Sequence, residues 1–171
     1  MSDDLKENIY IRRGQTGDLD ALAALEAACF PPAEAATAEQ LKERLDHYAG
    51  HFWLLFRGGQ LIAFIDGFVT DEPDLRDEMY ENAGAHQEDG AWQMIFGLNT
   101  HPDDRRHGYA GLLIKRMIED AREQGRKGLV LTCKEALIPY YRKFGFVNEG
   151  VSASVHGGVT WYQMRLRFTE E

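Results

Sequence analysis

The segment from Leu98 to Gly111, LNTHPDDRRHGYAG, places the strongest constraint on how this chain folds. The apolar residues at its start predict a strand, and the glycine-led residues after it have the spacing of an amphipathic helix. The turn between them carries three basic residues, Arg105, Arg106 and His107. Because a helix N-terminus already carries about half a positive charge, basic residues at this point indicate a bound anion.

Backbone N–H groups at the start of the helix would point at such an anion, and small residues would let it approach closely. The groups concerned belong to Gly108, Tyr109, Ala110 and Gly111. The lysine of a P-loop is missing, and so is the GxGxxG spacing of dinucleotide-binding loops. For this segment alone, the alternative interpretation is a solvated basic turn without a ligand.

The rest of the chain alternates between strand and helix patterns, and its 171 residues suit one domain. Thr16 is a candidate N-cap for the first helix, and Thr37 with Gln40 predicts a capping box for the second. Gly58 and Gly59, between two β-rich runs, predict a hairpin. Gly97 predicts a bulge or a close backbone approach within its strand. The strands are predicted at 7–13, 52–57, 60–70, 91–100, 128–133, from 146 onward and at 159–168, and the helices at 18–29, 37–48, 108–124 and 137–144. The order is βααβββαβαββ, an α/β fold with a mixed sheet.

Composition favours a cytoplasmic protein and argues against several partners. No apolar run reaches the roughly 18–20 residues that span a bilayer, and the acidic start differs from a signal peptide. The formal charge of −9 would repel nucleic acid and anionic membranes, and it favours a cationic acceptor such as an amine. Cys29 and Cys133 lack metal-site spacing, so we expect no metal and no disulfide.

The string RRHGYA at Arg105–Ala110 matches the signature R/Q-x-x-G-x-G/A of the GCN5-related N-acetyltransferase (GNAT) superfamily, which the chain resembles over nearly its whole length. The resemblance implies one acetyltransferase domain over residues 1–171, with a mostly antiparallel central sheet flanked by helices. It also implies that the basic loop holds the pyrophosphate of acetyl-CoA. The pantetheine arm would then run beside the backbones of Leu98, Asn99 and Thr100.

Two further segments resemble the serotonin (arylalkylamine) N-acetyltransferase group, LIAFIDGFVTDEPDL at 61–75 and CKEALIPYYRKFGF at 133–146. The resemblance implies that Tyr141 lies beside the thioester sulfur and protonates the departing thiolate. A phenol of pKa about 10 can donate to a thiolate whose conjugate acid is near 8.5 only if the site assists. A core aromatic is the alternative role for Tyr141.

The general base is left open by the same resemblance. That group carries an H-x-H pair on the strand before the coenzyme loop, and Met94 and Phe96 occupy these two positions here. Neither side chain can accept a proton, so either another group is the base or the amine loses its proton to solvent first. The candidates are His156, in a predicted strand at 154–156 and with an ordinary pKa near 6.5, Asp66, which interrupts an apolar strand, and Glu135.

The acceptor pocket implied by the resemblance is aromatic. Phe30 and Pro31 would line one side, and Val159 and Trp161 the other, which suits a flat or hydrophobic primary amine. We therefore expect direct acetyl transfer from acetyl-CoA to a small-molecule amine in a ternary complex, by a monomer or homodimer. Two alternatives remain, an acetyltransferase for protein N-termini and an acyl-CoA-binding sensor without turnover.

Overall fold

A computed structural model describes residues 8–169, and the contacts between their Cα atoms divide them into two compact units. The first unit contains residues 8–66 and 97–116, and the second contains 67–96 and 117–169. The strands are β1 (Ile9–Arg13), β2 (Phe52–Arg57), β3 (Gln60–Asp66), β4 (Val69–Thr70), β5 (Trp92–Met94), β6 (Gly97–Thr100), β7 (Gly128–Cys133), β8 (Val147–Val151) and β9 (Tyr162–Arg167). The helices are α1 (Leu19–Cys29), α2 (Ala38–Tyr48), α3 (Tyr109–Glu123) and α4 (Ile138–Arg142).

The first unit is built on an antiparallel sheet with the strand order β1-β2-β3-β6. The predicted hairpin between β2 and β3 is present, and its Gly58 and Gly59 adopt φ values of 60° and 84°. α1 packs on β3, β6 and α2. The apolar core contains the buried side chains of Leu22, Leu25, Leu41, Leu45, Phe52, Trp53 and Phe64.

The two predicted helix starts in this unit have different outcomes. The capping box is present, because the Thr37 hydroxyl accepts from the Gln40 N–H at 3.1 Å and the Gln40 side chain accepts from the Thr37 N–H at 2.9 Å. The prediction of Thr16 as an N-cap is wrong. Thr16 begins a short 3-10 turn, Thr16–Asp18, and the carboxylate of Asp18 is bound by Arg12 and by the N–H of Gln15.

The second unit has a five-stranded sheet with the order β4-β5-β7-β9-β8. Only β5 and β7 are parallel among its pairs in the described chain, so the sheets are mixed and mostly antiparallel, as predicted. The acidic stretch 71–90 is irregular, with short 3-10 turns at Asp77–Glu81 and Ala83–Ala85. Within residues 8–169, none of the helices combines the length and the apolar character needed to cross a bilayer.

Two predicted strands are each divided between the sheets. The run 60–70 breaks after Asp66, and the run 91–100 breaks at residues 95 and 96. In the second unit, the backbone of Gly67 lies so close to the carbonyl oxygen of Met94 that a Cβ at residue 67 would overlap it. The predicted close approach exists, but it involves Gly67 as well as Gly97, and it ends the strands.

The predicted strand at 154–156 is also wrong. β8 ends at Val151, and residues 156–158 form a 3-10 turn in which Gly157 has φ 67°. Ser154 and Val155, which precede this turn, donate hydrogen bonds to a side chain and do not pair with a strand. The Asp77 carboxylate accepts from the Ser154 hydroxyl at 2.6 Å and from the Val155 N–H at 3.0 Å.

Replacing Gly67 by alanine should lower the free energy of unfolding by about 2–3 kcal/mol, because the added methyl group must displace the backbone at Met94. The matched control is Gly17→Ala, since a Cβ there would meet no atom within 4 Å. Urea denaturation measures both variants. Equal stability of Gly67→Ala and the wild type would contradict the close approach.

Candidate active site

The strand β6 forms an edge of the first unit's sheet. The N–H of His101 donates to the carbonyl of Ile62 at 2.8 Å, which sets the alternation of hydrogen bonds along β6. By this alternation Asn99 directs its backbone groups to β3, whereas Leu98 and Thr100 direct theirs away from it. The carbonyl of Thr100 accepts from Cys29 Sγ at 3.3 Å and from Arg105 Nε at 3.1 Å. Of the three predicted strand residues, Leu98 and Thr100 therefore both offer outward N–H donors.

The basic loop that follows β6 has the geometry of an anion site. α3 begins at Tyr109, and its first helical hydrogen bond runs from the Leu112 N–H to the Gly108 carbonyl at 3.2 Å. The preceding N–H groups at this helix end have no intrahelical partner. Gly108 has φ 81°, and a Cβ there would meet nothing within 4 Å, so the approach is open. The side chains of Arg105, Arg106 and His107 are exposed, and a diphosphate fits this combination of charge and donors.

Among the ionisable residues of the first unit that sequence reasoning selected, Asp66 is the most buried. Its side chain has no exposed surface, and its Oδ2 accepts from the Tyr48 hydroxyl at 3.0 Å and lies 3.5 Å from Arg44 Nη1. Its Oδ1 has no hydrogen-bond partner among the described residues, and it faces Gly97, where a Cβ would lie 3.0 Å away. Burial raises the pKa of Asp66 to about 6, although Arg44 and the Tyr48 hydroxyl oppose the rise.

Glu26 is a residue of this unit that sequence reasoning missed. Its carboxylate accepts from the side chain of Asn99 at 2.6 Å and from the N–H of Ala36 at 2.8 Å. It thereby ties the loop with Phe30 and Pro31 to β6. The ring of Phe30 is 36% exposed at the end of α1. The sequence signal that could have identified Glu26 is its position on the apolar side of α1, where a carboxylate is unexpected.

Tyr141 lies in the second unit on α4 and is buried. Its ring makes edge contacts with Tyr140 and Phe146, at centroid distances of 5.2 and 6.0 Å. Burial raises the pKa of the Tyr141 phenol, and neighbouring Cys133 adds to the rise. The hydroxyl therefore stays protonated at neutral pH, as a general acid requires.

The two positions that replace the H-x-H pair are apolar in structure as well as in sequence. Met94 is fully buried. The ring of Phe96 contacts the rings of Phe68 and Tyr80, each at a centroid distance of 4.9 Å. Tyr80 also places its hydroxyl 3.4 Å from that of Thr132. No proton acceptor stands at these two positions.

The remaining predicted residues also lie in the second unit. Val159 is 41% exposed, and Lys134 Nζ lies 5.9 Å from the centroid of the Trp161 ring. Glu135 is exposed at the start of a 3-10 turn. The side chain of His156 lies outside the described part of the structure, so its role as a base stays a prediction. The predicted set therefore divides, with Phe30, Pro31, Asp66 and 98–111 in the first unit and Tyr141, Val159 and Trp161 in the second.

Comparison with known proteins identifies the family. A family model described as "Acetyltransferase (GNAT) family" matches residues 19–146. The chain belongs to this family. Several solved relatives are described with coenzyme A or its thioesters bound.

The acetyltransferase is similar to curated serotonin N-acetyltransferases. It is 31% identical to the Mesocricetus auratus protein over 111 residues, which are 64% of this chain and 52% of that protein. It is 27% identical to the Homo sapiens protein over 164 residues, which cover 84% of this chain and 77% of that protein. The first of these alignments thus spans about half of the relative's length.

Solved structures share the fold at low identity. The loading GNATL domain of CurA from Lyngbya majuscula has a TM-score of 0.80 at 14% identity, and the alignment covers 93% of this chain and 97% of that one. The ribosomal-protein-S18-alanine N-acetyltransferase from Escherichia coli has a TM-score of 0.72 at 18% identity, with 95% and 96% covered. The GphF GNAT-like decarboxylase in complex with isobutyryl-CoA has a TM-score of 0.78 at 23% identity, with 92% and 98% covered. These likenesses show the fold.

The raised pKa of Asp66 predicts a specific pH dependence of stability. Between pH 3.8 and about 6 the folded protein holds this proton more tightly than the unfolded chain does, so stability falls as pH rises through this window. A shift of about two units corresponds to about 3 kcal/mol. Asp66→Asn should remove this decline, whatever its effect on stability at low pH.

The measurement is urea unfolding of both proteins at pH 4.5, 5.5 and 7. The matched control is Asp46→Asn, an exposed carboxylate that pairs with Lys42, and its stability should follow the wild type across this range. Parallel curves for Asp66→Asn and the wild type would show that Asp66 ionises as an exposed aspartate does.

Proposed function

We propose that this acetyltransferase moves the acetyl group of acetyl-CoA to the primary amine of a small hydrophobic or aromatic molecule in the cytoplasm. The observation that carries the proposal is Tyr141, a buried phenol that keeps its proton at neutral pH. Because burial raises the pKa of this phenol, transfer of its proton to the sulfur needs assistance from the site. Tyr141 stands in the segment that resembles the serotonin N-acetyltransferase group. The curated relatives act, by their names, on serotonin.

In the proposed site, β6 and the basic loop bind acetyl-CoA, the acetyl donor. Acetyl-CoA brings the thioester whose carbonyl carbon the amine attacks. The exposed Arg105, Arg106 and His107 and the first N–H groups of α3 hold the pyrophosphate. The outward N–H of Leu98 stabilises the negative charge that develops on the thioester oxygen, and this kind of donor lowers a transfer barrier most when it is fixed in advance.

Two proton transfers complete the proposed reaction. A carbon–nitrogen bond forms as the carbon–sulfur bond breaks, so the amine loses a proton and the thiolate gains one. Tyr141 gives its proton to the sulfur and recovers one from solvent. Asp66 receives the amine proton through water, because its Oδ1 is an acceptor without a partner in the described chain and a pKa of about 6 leaves it ionised at pH 7.

The acceptor class follows from the aromatic residues. Phe30 and Trp161 would each offer a ring to a flat or hydrophobic amine, and Val159 is exposed near Trp161 in the sequence. The net charge of −9 favours a cationic acceptor. A peptide acceptor remains the second candidate, because a solved relative acetylates the ribosomal protein S18 alanine.

Replacing Tyr141 by phenylalanine should lower kcat by about a hundredfold, because the variant keeps the ring and loses the proton donor. The KM for acetyl-CoA should change by less than about threefold. Tyr140→Phe is the matched control, since Tyr140 is adjacent, aromatic and only partly buried. Thiol release measures both variants. A kcat of wild-type size in Tyr141→Phe would remove Tyr141 from the mechanism.

A further inference from the structure

The loop from Asp104 to Tyr109 adopts a conformation that its own residues disfavour. Arg105, Arg106 and His107 follow one another with exposed side chains, next to a helix end that carries partial positive charge. Arg106 adopts φ 68°, a left-handed conformation that costs a non-glycine residue about 1 kcal/mol. Contacts from outside the loop are therefore needed to hold this conformation before an anion binds.

Arg57, the last residue of β2, provides contacts at both ends of the loop. Its Nη2 pairs with the carboxylate of Asp104, and its Nη1 donates to the hydroxyl of Tyr109 at 3.3 Å. Asp104 and Tyr109 are both buried, whereas the side chain of Arg57 is 35% exposed, so the contacts are partly shielded from bulk water. A planar guanidinium can hold two partners in one fixed geometry, which a flexible ammonium does less well.

The same ion pair changes the charge that an anion meets at the loop. Without a partner, the buried carboxylate of Asp104 would repel a phosphate bound beside it. The Nδ1 of His101 lies 3.9 Å from this carboxylate, but it accepts the N–H of Asp103 at 3.1 Å and so has no proton to donate. Neutralisation of Asp104 therefore falls to Arg57.

We propose that Arg57 is a positioning residue for coenzyme binding. It fixes the Asp104–Tyr109 loop at both ends and neutralises Asp104, while the loop itself contacts the ligand. This inference rests on the proposed function, because it takes the loop to be the pyrophosphate site of acetyl-CoA.

The test is calorimetric binding of coenzyme A to the wild type, Arg57→Met, Arg57→Lys and a control. Arg57→Met loses both contacts and should bind coenzyme A about tenfold more weakly, or worse. Arg57→Lys keeps a positive charge near Asp104 and should recover part of the loss. The control is Arg12→Met, because Arg12 lies on β1 of the same sheet, is 35% exposed like Arg57, and pairs with Asp18. It should bind as the wild type does.

A second ligand separates positioning from a general loss of structure. S-acetylpantetheine contains the thioester arm and lacks the pyrophosphate, so its binding, measured by NMR titration, should be equal in Arg57→Met and the wild type. If Arg57→Met does not fold, Tyr109→Phe replaces it. That variant loses the hydroxyl that accepts from Arg57 and should bind coenzyme A several-fold more weakly.

The possible results separate the role of Arg57 from the proposed function. Coenzyme A binding within twofold of the wild type in Arg57→Met, or equal losses for both ligands, overturns the role of Arg57 and leaves the proposed function intact. A wild-type protein that does not bind coenzyme A overturns the proposed function, and the role of Arg57 with it.

Discussion

The break in the backbone between β5 and β6 is the constraint on which the candidate site depends. Gly67 lies against the carbonyl of Met94, and Gly97 leaves room for the carboxylate of Asp66. β5 therefore pairs with β4 and β7, whereas β6 pairs with β3 and ends the first unit's sheet. Because β6 is at a sheet edge, Leu98 can offer its N–H to a substrate. A side chain at either glycine would compete with this arrangement.

Burial raises the pKa of both residues proposed to transfer protons, Asp66 and Tyr141. It raises the pKa of Asp66 to about 6, so the carboxylate is a stronger base than an exposed aspartate and is still ionised at pH 7. It also raises the pKa of Tyr141, which keeps an acid protonated. The same physical effect thus makes Asp66 a stronger base, whereas it makes Tyr141 a weaker acid whose proton transfer to the thiolate the site must assist. Because Met94 and Phe96 are apolar, either another group is the base or the amine loses its proton to solvent first.

Local signals in the sequence predicted the elements that depend on neighbours along the chain. The capping box at Thr37, the Gly58–Gly59 hairpin and the start of α3 are confirmed because each is set within a few residues. The family signature supplied the loop, and the resemblance of residues 133–146 to the serotonin N-acetyltransferase group supplied Tyr141. The family model confirms the membership and the fold, whereas the roles of individual residues remain predictions.

Apart from the turn at Thr16–Asp18, the features that sequence reasoning missed join residues far apart in the chain. The carboxylate of Glu26 binds the side chain of Asn99, and Arg57 binds the hydroxyl of Tyr109. Asp77 binds the hydroxyl of Ser154, in a segment that was predicted as a strand and instead leads into a turn. Neither periodicity nor capping rules carry information about such pairs, because each partner alone is typical of an exposed polar residue.

The most direct test of the account is thiol release from acetyl-CoA with a panel of aryl- and alkylamines, polyamines and short peptides. The account predicts saturable turnover with a hydrophobic or aromatic primary amine, and formation of its N-acetyl product. Turnover with peptides alone would contradict the proposed acceptor. Binding of acetyl-CoA without turnover across the whole panel would contradict the assignment of catalysis to Tyr141 and Asp66.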